Sequence, residues 1–221
     1  MATNLINIGY GGWLQCYDPE DSADIGTSWF KKAFLDYRID NVDHSIRSAY
    51  FLFKAVQIFK SEAPELASKV RINLWGKIDP GNIKLAEKLG ITENVKISGL
   101  LSKTENLKQL DKMNMLFLPM EVGKNEDKSL FIPGKVYEYM LLRKPILAIG
   151  GDSDAKQLIL DSGLGFHFEH DKLDALVKFL HKICIDQSNL EVNANEDLIN
   201  SKSFDKLTDK LVEVFKNCKV N

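Results

Sequence analysis

Residues 131–149, FIPGKVYEYMLLRKPILAI, read as loop, helix, turn and strand. Pro133 and Gly134 interrupt what precedes them, and proline is well tolerated in the first turn of a helix. From Lys135 onward Val136, Tyr137, Met140 and Leu141 recur at spacings of three and four, which predicts a helix. Arg143 and Lys144 stand where cations oppose the partial negative charge of a helix C-terminus. Pro145 stops the helix, and ILAIGG follows as a short apolar strand leaving through glycine.

Two side chains in this stretch carry chemistry. Lys135 lies in the first helical turn and Glu138 three residues on, so both share one helix face. Glu138 is flanked by Tyr137 and Tyr139, a mostly apolar setting for a carboxylate. One reading is a ligand site, with backbone N–H groups and Lys135 holding phosphate and Glu138 accepting hydrogen bonds from hydroxyls. The other is a solvated ion pair on an ordinary amphipathic helix, and residue types alone favour it.

The alternation seen here extends both ways. Leu5–Tyr10 reads as a strand leaving through Gly11-Gly12, and Asp43–Lys60 as a helix capped by Asp43. A helical turn over Glu65–Lys69 precedes a strand over Val70–Trp75 that ends in Gly76. Helices are predicted over Pro80–Leu89, Lys103–Asp111, Asp154–Asp161, Leu173–Cys184 and Phe204–Lys216, with Asp152 and Ser153 capping the third. Strands are predicted over Val95–Ser98, Met115–Pro119 and Gly165–Phe168. Such alternation implies right-handed crossovers and a parallel sheet covered on both faces, an α/β, doubly wound, Rossmann-like fold. Ligands in that fold bind beyond the carboxyl ends of the strands. The candidate exits are Gly11-Gly12, Gly76-Lys77, Gly99-Leu100-Leu101, Met120 to Ile132, and Gly150-Gly151. Four of the five begin with glycine, and the fifth leads into the Lys135/Glu138 helix.

Residues 15–43 are longer than a typical connection and read as an insertion or structured loop. Trp29, Phe30, Phe34, Leu35 and Tyr37 there could form a short packed helix. With 221 residues, 44% hydrophobic and 27% charged, the chain suits one globular domain over 1–221. A net charge of −2 argues against broad polyanion binding. Cys16, Cys184 and Cys218 are widely spaced, which fits neither a disulfide framework nor a zinc site and points to a reducing compartment. His44, His167, His170 and His181 form no metal-ligand spacing. No apolar run approaches a membrane span, and no nucleic-acid signature or phosphate-binding P-loop is present.

PGKVYEYMLLRKPILAI resembles the signature of the C-terminal, nucleotide-sugar-binding domain of GT-B glycosyltransferases, closest to the retaining, family 4-like group (group 1). The matching residues are Pro133, Gly134, Lys135, Tyr137, Glu138, Tyr139 and Pro145 to Ala148. Weaker likeness follows the element order over almost the whole chain. The resemblance implies that Glu138 contacts the donor ribose and that Lys135, Gly134 and Pro133 lie near its diphosphate. It implies that Gly99, Leu100 and Leu101 meet the base through backbone groups, with Gly11, Gly12 and Lys77 near the donor. It further implies a cytoplasmic enzyme of polysaccharide biosynthesis, whose full-length form could be peripheral to a membrane and whose donor is a nucleotide-diphosphate sugar. No cofactor or metal is expected. The acceptor, a saccharide or lipid-linked molecule, would belong to an N-terminal domain missing from these residues, so that this chain alone would not turn over.

Two departures stand beside the resemblance. The arginine and lysine that usually follow the first strand are replaced by the acidic run after Gly12, and the nearest bases are Lys31, Lys32, Arg38 and Arg47. The carboxylate that many relatives carry eight positions before the ribose glutamate is replaced by Leu130, and Glu126 and Asp127 miss that spacing. Two alternatives therefore stay open: a non-catalytic nucleotide-binding or interaction module, and half of a sugar-nucleotide epimerase.

Overall fold

The computed structural model describes residues 5–19, 42–43, 47–123 and 128–218. In chain order the described elements are β1 (Ile6–Leu14), β2 (Val42–Asp43), α1 (Tyr50–Glu62), α2 (Pro64–Ala67), β3 (Val70–Ile78), α3 (Gly81–Lys88), β4 (Val95–Ser98) and α4 (Lys103–Asp111). They continue with β5 (Met115–Pro119), β6 (Val122–Gly123), α5 (Gly134–Leu142), β7 (Ile146–Gly150), α6 (Asp154–Asp161), β8 (Gly165–Glu169), α7 (Leu173–Ile185), α8 (Glu196–Ser201) and α9 (Phe204–Asn217).

Six strands form one parallel sheet in the order β4-β3-β1-β5-β7-β8. The chain winds outward from β1 through β3 to β4, then returns to the other side of β1 and winds through β5 and β7 to β8. The direction reverses between β1 and β5, and loops leaving two such strands diverge to open a crevice at their carboxyl ends. The doubly wound sheet is thus the one expected from the alternating elements.

Successive side chains along each strand point to opposite faces, and both faces are covered, so that β5 and β7 are buried at every position. Met115, Phe117, Leu147 and Ile149 pack with Ile8 and Ile72 against α1, α3 and α7 through Phe53, Phe59, Leu85 and Leu180. Leu116, Leu118, Ile146 and Ala148 pack on the other face against α4, α5 and α6 through Leu110, Val136, Tyr139, Met140 and Ile159. Helix starts follow local chemistry. Ser102 and Glu105 form a reciprocal capping box on α4, and Ser153 accepts from the Lys156 N–H on α6. Asp152, expected to share that cap, instead pairs with Lys156 at 3.1 Å.

Several boundaries differ from the sequence reading. β1 and β3 do not end before their glycines but run through them to Leu14 and Ile78, with Gly12 opposite Gly76. Gly12 and Gly76 have φ of 144° and 115°, which glycine alone adopts without strain, so the strands bend there and continue. The helix expected over Asp43–Lys60 starts at Tyr50, and Asp43 does not cap it. Val42 and Asp43 pair antiparallel with Val122 and Gly123 instead. Residues 15–19 follow β1, and the chain is described again at Val42 and Asp43 in this small ladder. Trp29, Phe30, Lys31, Lys32, Phe34, Leu35, Tyr37, Arg38, His44, Glu126 and Asp127 lie outside the described residues.

Candidate functional site

A cavity of about 560 Å³ opens at the carboxyl ends of β1 and β5, at the point where the sheet reverses direction. Its lining comes from β1 and its exit (Tyr10, Trp13, Gln15), from Arg47, from the end of β5 (Leu118, Pro119) and from Phe131 with the start of α5. Pro133 is the N-cap residue of α5, is extended, and gives the helix no side-chain cap. Gly134 and Lys135, whose N–H groups open the helix, both line the cavity, and Gly134 has open space where a side chain would begin. A helix N-terminus with Lys135 beside it presents N–H groups and positive charge to an anion.

Lys135 is half-buried and reaches across the cavity to β1. Its ammonium sits 5.1 Å from the centre of the Tyr10 ring and lies where a Cβ on Gly12 would have to go. Gly12 is therefore needed twice, once for its φ and once for the lysine that passes over it. Burial lowers the Lys135 ammonium below its ordinary pKa, Glu138 opposes that shift, and Arg47 adds to it. Among the described residues two cations and one carboxylate thus share the cavity, and an anion would relieve the repulsion between Lys135 and Arg47. Arg47 is steadied by the Phe131 ring, 5.4 Å from its guanidinium carbon. Tyr10 donates from its hydroxyl to the Trp13 carbonyl at 2.6 Å, and burial pushes its phenol up to about 12, so it stays protonated.

Behind the cavity a buried carboxylate fixes the loop into α5. Ser129 donates to Glu121 at 2.5 Å and accepts from the Phe131 N–H at 3.2 Å. The Ser129 backbone bridges to Asp152 and Asp154. Neither Glu121 nor Arg47 was placed by sequence reasoning. A lone glutamate just after a strand gives no signal of burial, and Arg47 reaches the cavity from outside any motif.

Pro133, Gly134, Lys135 and Glu138 come together in the cavity, and Gly12 lies beneath the lysine. The other expected residues share the same sheet edge but do not line that cavity. A Cβ on Gly11 would meet Asn106 and the Trp75 ring, so its smallness serves packing under α4. Lys77 is exposed within β3, 5.8 Å from the Trp13 ring centre. Gly99, Leu100 and Leu101 follow the edge strand β4. Gly99 accepts from the Gly76 N–H at 3.2 Å, and the two leucines are exposed. Among the described residues no group of three or more His, Cys, Asp or Glu side chains is gathered as a metal site.

The fold is similar to that of solved structures. The C-terminal domain of a group 1 family glycosyl transferase, LpcC from Francisella tularensis, superposes with a TM-score of 0.53 at 10% identity, covering 89% of this chain and 85% of that one. The chain has the fold of a GT-B glycosyltransferase C-terminal domain. S. aureus TarM, solved with UDP, matches with a TM-score of 0.63 at 13% identity over 96% of this chain and 36% of TarM. Anabaena HepE in complex with UDP matches with a TM-score of 0.59 at 16% identity over 97% of this chain and 49% of HepE. The GT-B domain described here therefore spans about a third to a half of the length of these two proteins. No protein-family model matches the chain, and no curated protein matches it in sequence. No described helix is long and apolar enough to cross a membrane.

Proposed function

We propose that this domain binds the nucleoside-diphosphate-sugar donor of a glycosyltransferase. The observation that carries the reading is the cavity at the sheet's reversal point, where Lys135, Arg47 and the start of α5 face one carboxylate, Glu138. Lys135, Arg47 and the N–H groups of Gly134 and Lys135 neutralise the diphosphate. Glu138 accepts hydrogen bonds from the ribose hydroxyls. Arg47 takes the place of the bases that do not follow β1. The UDP complexes among proteins of like fold support the nucleotide class.

In the transfer step the bond from the sugar's anomeric carbon to the diphosphate oxygen breaks, that carbon bonds to the acceptor hydroxyl oxygen, and the hydroxyl proton passes to the departing diphosphate or to solvent. This domain's part is to stabilise the charge that gathers on the leaving diphosphate, a task that fixed cations and a helix N-terminus perform with little reorganisation. That chemistry requires no metal or other cofactor from these residues. Retention of anomeric configuration is part of the reading, as is a second, N-terminal domain that closes the cleft and carries the acceptor. The alternative of a binding module without turnover differs in that second domain and not in this cleft.

A thermal-shift panel of UDP, GDP, ADP and CDP with the purified chain tests the binding. One nucleoside diphosphate is expected to raise the melting temperature well above the shift given by its monophosphate. The same chain, mixed with donors and saccharide acceptors, is expected to give no transfer. A flat response to all four diphosphates would contradict the reading, and turnover by this chain would contradict the need for a second domain.

A further inference from the structure

The cavity holds an indole that no part of the glycine-rich or PGK stretches accounts for. Trp13 is 64% exposed, yet it is the last but one residue of a central strand, where large aromatic side chains usually gain from burial. Its position is fixed. It pairs in register with Lys77, its carbonyl accepts from the Tyr10 hydroxyl at 2.6 Å, and the Lys77 ammonium lies 5.8 Å from its ring centre. It lines the cavity together with Gln15, two residues further along.

Gly12, the residue before Trp13, carries the Lys135 ammonium over its backbone. A phosphate held by Lys135 is therefore one residue away from the indole. A sugar nucleotide has a ring on each side of its diphosphate. On the reading proposed above, Glu138, one turn along α5, takes the ribose. Among the described residues Glu138 is the one carboxylate in the cavity lining, and no other described lining residue offers one to the second ring. What it finds on the β1 side is an aromatic face and the Gln15 amide.

We propose that Trp13 is the platform for the transferred sugar, stacking its indole on the apolar C–H face of the pyranose while Gln15 meets a hydroxyl. Lys77 holds the ring in place from the neighbouring strand. Trp13 thus acts on the sugar and not on the nucleotide, and it would favour donors whose ring presents a continuous apolar face.

The test rests on the donor-binding reading and separates from it. The chain and its Trp13→Ala and Trp13→Phe variants are titrated calorimetrically with UDP and UDP-glucose, and with GDP and GDP-mannose. Trp13→Ala is expected to weaken the sugar conjugate by about three- to tenfold while leaving the bare diphosphate within about twofold, with Trp13→Phe intermediate. If Trp13→Ala does not fold, indole emission of the wild-type chain against Trp13→Phe decides. Quenching by the conjugate, weaker with the bare diphosphate and lost in Trp13→Phe, supports the platform. Equal losses for both ligands, no loss for either, or equal quenching by both overturns it. A wild-type chain that binds diphosphate and conjugate equally overturns the platform alone, and one that binds neither overturns the donor-binding reading with it.

Discussion

Lys135 carries more of the site's physics than any other side chain. Its ammonium is drawn into the cavity between Tyr10, Gly12 and Glu138, and burial there lowers its pKa. A bound phosphate restores the charged form, so binding on the alkaline side takes up a proton. Affinity for a nucleoside diphosphate should then hold steady near neutrality and fall before the ordinary lysine value of 10.5 is reached. Lys135→Arg should keep its charge and lose that early fall. Calorimetric titration at rising pH checks this, and a flat profile for the wild-type chain would contradict it. The sign for folding is opposite: the unfolded chain holds this proton more tightly, so Lys135 favours folding as pH rises through the same window. Lys135 and Glu138 were legible in the sequence because helix periodicity alone places them on one face. Arg47 and Trp13 were not. Arg47 approaches from a position far from α5 in the chain and Trp13 depends on β1 running past its glycines, and neither shows as a local pattern.

At the level of elements, the helices that position the cavity are those bound into the core, and α9 is not among them. α5 buries Val136, Tyr139 and Met140, and the Tyr139 hydroxyl donates to the Phe117 carbonyl at 3.1 Å, which anchors the helix to the floor strand β5. α9 buries none of its residues, and Phe204, Leu207, Leu211, Val214 and Phe215 are all exposed. A chain ending before Ser203 should therefore melt within about 2 °C of the full chain, as expected when only exposed side chains are removed. Differential scanning calorimetry of the two checks this, and a large drop would show that α9 is held by the domain. Periodicity located most of these elements because 3.6- and 2-residue repeats follow from backbone geometry. It failed at Asp43, whose capping chemistry was right for a helix start but whose backbone pairs with Val122 in a short ladder. It failed again at Gly11 and Gly76, where glycine marks close packing within a strand and a bend that continues, not an end.

For the molecule as a whole, the sheet reverses direction between β1 and β5, and the cavity with its two cations lies at that point. The fold was readable because the alternation of strands with helices fixes a parallel sheet with two helical layers. The position of the cavity along that edge was less so. Gly99, Leu100, Leu101 and Lys77 stand at the same edge as Lys135, yet the cavity that forms is walled by β1, β5 and α5. Exits that look alike in sequence differ once strand order assigns neighbours, and strand order is a non-local property. The central claim is that Glu138 holds the ribose of a nucleoside diphosphate whose phosphates lie on Lys135 and the start of α5. A hydrogen-bonded charge removed from such a site costs about 1.5–3 kcal/mol, or roughly ten- to a hundredfold in affinity. Calorimetric titration of wild type, Glu138→Ala and Lys135→Ala with UDP and GDP, at low and high salt, tests it most directly. Glu138→Ala should lose that factor at both salt concentrations, and Lys135→Ala a smaller factor that shrinks as salt rises. Unchanged affinity in Glu138→Ala, with binding still measurable, would contradict the account and leave this helix face an ordinary solvated ion pair.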